Sequence, residues 1–133
     1  MSDPERQRIR DRKRRTLEQA MTEQEPERPG EPIPVADSKH LESLVNTHAV
    51  VLVDCYADWC GPCKMIEPTI EAIAADSEAV VAKLDVDRHT QIAQELGVRG
   101  VPTLLLYAGG EAVERFVGVQ DRGTLEDAIA AHA

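Results

Sequence analysis

Cys60 and Cys63 stand two residues apart in Trp59-Cys60-Gly61-Pro62-Cys63-Lys64, and theirs are the side chains whose type and spacing could do chemistry unaided. Thiols so spaced can close a disulfide without moving the backbone, and one of them can exchange with the disulfide of a partner. The stretch before them, Ala49 to Tyr56, is apolar and β-branched like a buried strand, and Lys64 to Ala75 repeats apolar residues at helical spacing. The pair is therefore predicted at a strand-to-helix turn. There the first cysteine lies beside the unsatisfied N–H groups that open the helix, whose positive end favours a thiolate. The second lies about one turn further in and partly shielded, which leaves Cys60 as the exposed, attacking sulfur.

Other readings of the pair are weaker. Zinc would need two further Cys or His ligands at suitable spacing, and the chain offers Cys55 and the scattered His40, His48, His89 and His132, so no metal is expected. A purely structural bond is disfavoured because so small a loop removes little chain entropy from the unfolded state. What remains is a dithiol redox site, needing no cofactor beyond a reversible Cys60–Cys63 disulfide.

Two charged residues fall where charge is expensive. Alternation along the strand puts Leu52, Asp54 and Tyr56 on one face and Val51, Val53 and Cys55 on the other, and both faces read as buried. A carboxylate there is costly unless paired or functional, so the Asp54 pKa should rise and Asp54 becomes a candidate proton carrier for the cysteines. Lys83, inside the apolar run Val80 to Val86, reads as snorkelling or as a partner for Asp54. Cys55 reads as a small buried hydrophobe without a redox role.

The elements that must position these groups follow from the rest of the chain. Its 133 residues suffice for one domain with a real core. Residues 1–32 form a charged extension and proline-rich linker that is expected to be disordered, with seven positive charges in the ten positions from Arg6 to Arg15 and a transient helix over Thr16 to Gln24. The domain is placed at 33–133. Net charge is −9, and it is uneven: residues 1–36 hold eight acidic and eight basic side chains, residues 37–133 sixteen against seven. So acidic a surface argues against nucleic acid as a partner of the domain, while the basic block leaves nucleic acid, anionic lipid or an acidic partner open for the arm, against a solvated tail. The cysteine count is not the even framework of a small secreted domain. The N-terminus has no apolar signal core, and no apolar run reaches membrane-spanning length. The expected compartment is the reducing cytoplasm.

Within the domain, Ile33-Pro34-Val35 reads as an edge strand, and Asp37 or Ser38 caps a helix that runs to about Asn46. Pro68 should kink the helix after the dithiol. A short helix from His89 to Leu96 stops at Gly97. Thr103 to Tyr107 and Ala112 to Gly118 pair as a hairpin around Gly109-Gly110, and Thr124 to Ala131 closes the chain as a helix. This order implies an α/β domain, a mixed sheet with helices on both faces.

Three separated segments stand in order within residues 33–133: Val53-Asp54-Cys55-Tyr56-Ala57-Asp58-Trp59-Cys60-Gly61-Pro62-Cys63-Lys64, then Gly97-Val98-Arg99-Gly100-Val101-Pro102-Thr103, then Gly109-Gly110 with Val117-Gly118. In turn they resemble the active-site segment, the cis-proline loop and the C-terminal hairpin of the thioredoxin family, and the resemblance covers residues 33–133. The resemblance implies the thioredoxin fold and a cytoplasmic protein-disulfide reductase recycled by a thioredoxin reductase and acting on disulfide-containing client proteins; separately, a monomer is expected. It also implies that Cys60 attacks, Cys63 resolves, Asp54 handles the proton of Cys63 and Lys83 tunes acidity. Pro102 is then cis and faces the sulfurs, and the backbone of Val101 pairs with the client chain. Trp59, Gly61, Pro62, Val86, Gly100, Val101, Gly118 and Val119 form the apolar docking rim. Tyr56 stands where the family commonly has tryptophan, Cys55 where it commonly has an aromatic, and the N-terminal arm is additional. An oxidase or isomerase, and a binding module with an incidental dithiol, are the competing function classes, separable by redox potential and by a Cys60→Ser variant.

Overall fold

The computed structural model describes residues 30–133. Their elements run β1 (Ile33–Pro34), α1 (Ser38–Thr47), β2 (Val50–Tyr56), α2 (Gly61–Asp76), β3 (Val80–Asp85), α3 (Thr90–Glu95), β4 (Thr103–Ala108), β5 (Glu111–Val117) and α4 (Arg122–His132). The basic block and the expected helix over Thr16 to Gln24 lie outside the described residues.

One mixed sheet carries the fold, in the order β1-β3-β2-β4-β5. Strands β1 and β2 run parallel to β3, whereas β4 runs antiparallel to both β2 and β5. Parallel neighbours need crossover helices, and the crossovers cover both faces. Val51, Val53 and Cys55 pack in one layer with Leu41 and Leu44 of α1 and Ile92 of α3. Val50 and Leu52 pack in the other with Ile66, Ile70 and Ile73 of α2 and Leu125 and Ile129 of α4. Each large aliphatic side chain so removed from water contributes about 1.5–3 kcal/mol. Strand β2 lies at the centre and is covered on both sides, which accounts for its unbroken apolar sequence and makes Asp54 the exception.

The helix starts have separate causes. Asp37, not Ser38, caps α1 by accepting the His40 N–H at 2.8 Å, and Asp121 caps α4 by accepting the Thr124 N–H at 2.8 Å, which starts that helix two residues before the predicted position. Pro68 lies inside α2, and the helix continues through it to Asp76 with Ile66, Ile70 and Ile73 all buried. The hairpin turns on Gly109 and Gly110 at φ 60° and 83°, both in the left-handed region that a two-residue loop of this kind demands. A Cβ on Gly110 would also meet Asn46 Oδ1 at 2.8 Å. The pairing of β4 with β5 shifts register between Leu106 and Tyr107, a bulge that alternation does not reveal.

Candidate active site

Strand β2 brings Asp54 and Tyr56 to its C-terminal end, the chain turns, and α2 begins with Cys60 as its N-cap. The Cys60 sulfur accepts the Cys63 N–H at 3.1 Å, and its carbonyl accepts the Lys64 N–H at 3.3 Å. Sulfur thus takes the place a Ser or Asp oxygen usually fills at a helix start, where an inward-pointing N–H and the helix dipole both stabilise negative charge on it. Pro62 fits the first turn, where a missing N–H deprives the helix of nothing. Cys60 and Cys63 are joined as a disulfide, with Cα atoms 5.3 Å apart.

Exposure differs from the sequence expectation. Cys60 is not the open sulfur beside a shielded Cys63; both residues are 3% exposed. Tyr56, Val86 and Val101 pack against Cys60, Cys63 and Ala57. Val86 and Val101 pack on this cluster from distant points of the chain, so local spacing around the dithiol could not show the cover they provide.

Asp54 is 1% exposed, and neither carboxylate oxygen has a hydrogen-bond partner among the described residues. Lys83 sits opposite it across the β2–β3 pair, with Nζ 3.8 Å from Asp54 Oδ2, an ion pair too long for a hydrogen bond. Burial pushes the Asp54 pKa up to about 6; Lys83 pulls it down and Glu67 pushes it further up. The Lys83 ammonium also lies 3.3 Å from Glu67 Oε1 and 4.3 Å from the centroid of the Tyr56 ring. Cys55 is fully buried, and burial raises its thiol pKa to about 12, in keeping with an inert core residue.

The loop before β4 faces this turn. Its Val101–Pro102 peptide is cis, as the resemblance implies. Four hydrogen bonds hold the loop: Thr103 Oγ1 donates to Gly100 O at 2.7 Å, Gly118 N donates to Pro102 O at 2.9 Å, and the Arg115 guanidinium donates to Leu96 O and Gly97 O. Of the predicted rim, Val86 and Val101 pack on the cysteines, while Gly61, Pro62 and Gly100 are exposed. Pro102 is buried, Gly118 is half-buried, and Val119 is exposed beyond it. Trp59 is 72% exposed, with its indole N–H donating to Asp87 Oδ2 at 2.9 Å.

Sequence reasoning missed Glu67, Asp87 and Arg115, whose partners are remote in the chain. It also missed the exposed apolar Met65 and Val117, which alternation and helical spacing could have placed on outward faces. Among the described residues no group of three or more His, Cys, Asp or Glu side chains is placed to hold a metal ion, and no helix is long and apolar enough to cross a membrane.

Comparison with known proteins agrees with this geometry. The thioredoxin family profile matches residues 31–131. A thioredoxin of Chlamydia muridarum (strain MoPn / Nigg) is 46% identical over 99 residues, which is 74% of this chain and 95% of that protein. A bifunctional thioredoxin reductase/thioredoxin of Mycobacterium leprae (strain TN) is 41% identical over 98 residues, 72% of this chain but 21% of that protein. Among solved structures, a mutant thioredoxin from Halobacterium salinarum NRC-1 is 49% identical and superposes with a TM-score of 0.76, covering 78% of this chain and 92% of its own. The agreement extends over nearly all of the described residues, and by it the protein belongs to the thioredoxin family, protein-disulfide oxidoreductases that work through a redox-active cysteine pair.

Proposed function

We propose that the protein reduces disulfides of client proteins in a reducing, cytoplasmic compartment and is itself returned to the dithiol form by a thioredoxin reductase. The observation that carries this reading is Cys60 at the N-cap of α2, its sulfur accepting a helix N–H, because such a sulfur is stabilised as the attacking thiolate. In the first step the Cys60 thiolate attacks one sulfur of the client disulfide, forming a mixed disulfide and expelling a client thiolate. Cys63 then gives its proton to Asp54 and attacks the Cys60 sulfur, which releases the second client thiolate and leaves the Cys60–Cys63 disulfide. Two electrons pass to the client. A reductase must return them, and the joining of reductase and thioredoxin in one relative supports that partner.

The remaining residues take positions consistent with these steps. Lys83 tunes Asp54, and the backbone of Val101 beside Pro102 pairs with an extended client segment. Trp59, Gly61, Pro62, Val86, Gly100, Gly118 and Val119 give that segment an apolar landing. The test is insulin reduction by the full chain with NADPH and a thioredoxin reductase, followed as NADPH consumption. Turnover that disappears in Cys60→Ser is expected. Consumption no faster than in the absence of the protein would sink the reading.

A further inference from the structure

Between α2 and β3 one ammonium faces two carboxylates. Lys83 Nζ lies 3.3 Å from Glu67 Oε1 and 3.8 Å from Asp54 Oδ2. The shorter contact goes to the carboxylate that is 48% exposed and the longer one to the carboxylate that is 1% exposed. Attraction strengthens where water is excluded, so a cation beside a buried carboxylate with two unpartnered oxygens should close on it. Here it lies nearer Glu67, over the face of the Tyr56 ring at 4.3 Å from its centroid, and of these two neighbours Glu67 is the one that carries charge.

We infer that Glu67 is a positioning residue for the redox site, holding Lys83 off Asp54 so that Asp54 stays free to take the proton Cys63 gives up. The inference rests on the role proposed above for Asp54. Glu67 follows Cys63 by four residues, one turn along α2, so the helix that carries the resolving sulfur also carries the group that sets the base beneath it. Charged neighbours from other elements do not offer a substitute. Lys83 of β3 and Glu67 of α2 are the charges that act on Asp54, with Cys60 and Cys63 opening the same helix. Strand β4 sets Leu104 opposite Asp54, and α4 adds Leu125, Ala128 and Ile129 to this layer. Asp58, Asp85 and Arg88 act on the neighbouring Tyr56.

The experiment follows the carboxyl carbon of Asp54 by NMR across a pH titration of the oxidised full chain. Glu67→Gln keeps the shape and removes the charge, and it is expected to lower the Asp54 midpoint by about half a pH unit or more. With Lys83→Met as the background, the same change is expected to move the midpoint by less than half as much, because the mediator is gone. Glu67→Asp, which keeps the charge on a shorter stem, is expected to fall between wild type and Glu67→Gln. An unmoved midpoint in Glu67→Gln overturns the inference, and so does an equal shift in both backgrounds. The titration needs no turnover: a protein that reduces insulin but whose Asp54 ignores Glu67 loses this inference alone, and one that cannot reduce insulin loses the functional reading whatever Asp54 does.

Discussion

A carboxyl group buried without hydrogen bonds holds its proton more tightly in the folded chain than in the unfolded one, and for Asp54 burial moves the pKa from 3.8 to about 6. The stabilisation that comes with the proton is fully present below pH 3.8 and is lost as the pH rises through about 6. At pH 7 the folded protein therefore carries an ionised carboxylate at a cost of about 3 kcal/mol. Asn imitates the protonated side chain in size and charge. Asp54→Asn is accordingly expected to raise the unfolding free energy of the oxidised protein at pH 7 by about 2 kcal/mol, with the gain shrinking to nothing by about pH 4. Urea denaturation at the two pH values checks this, and a variant no more stable at pH 7 than at pH 4, relative to wild type, would contradict the burial argument. The same variant should reduce insulin more slowly if Asp54 takes the Cys63 proton as proposed. On the proposed role of Asp54, stability is given up at this residue for chemistry.

At the scale of elements, the loop before β4 is placed by β5. Arg115 reaches back from β5 to the Leu96 and Gly97 carbonyls, which close α3, and the next residues of that loop lead to Val101 and Pro102. Arg115→Met keeps the aliphatic stem and removes the donors. It is expected to destabilise the fold by only about 1 kcal/mol, because the side chain is exposed, yet to raise KM for insulin severalfold while leaving reduction of the disulfide by dithiothreitol unchanged. Equal KM values in a steady-state comparison would remove Arg115 from client docking. This contact also marks where sequence stops being informative. The β2 strand, the turn, the hairpin and the odd placement of Asp54 are written in short stretches of chain, through alternation, helical spacing and paired glycines. The partner of Lys83 across β2 and β3 was legible because strand register makes it one of few choices. Glu67 with Lys83, Asp87 with Trp59 and Arg115 with Leu96 join residues 16, 28 and 19 positions apart on different elements, and only the packed structure brings them together. Val86 and Val101 entered the sequence reading only as rim residues that the resemblance implies, and that they cover the cysteine pair shows only in the packed structure.

For the molecule as a whole, the balance of acidic and basic residues is read directly from the chain. Residues 37–133 carry sixteen acidic and seven basic side chains, whereas residues 1–36 balance eight against eight, so the folded part bears the entire excess. Like charges on one compact body repel, and salt screens them over about 10 Å at 0.1 M. The melting temperature is therefore expected to rise by roughly 3–5 °C as sodium chloride goes from about 0.02 to about 0.5 M, read by calorimetry. Removing residues 1–32 leaves the net charge at −9, because that segment carries eight charges of each sign. If the basic block from Arg6 to Arg15 stays in solvent, the full chain and the shortened one should show the same rise. A block seated on the acidic domain would already neutralise part of the repulsion, so the full chain would melt higher than the shortened one at low salt, and that advantage would fade as salt is added. Equal salt responses are the expected outcome, since the arm has no aromatic and few apolar residues to hold it in place once its charges are screened. A larger response in the shortened chain would make the arm a built-in ligand of its own domain.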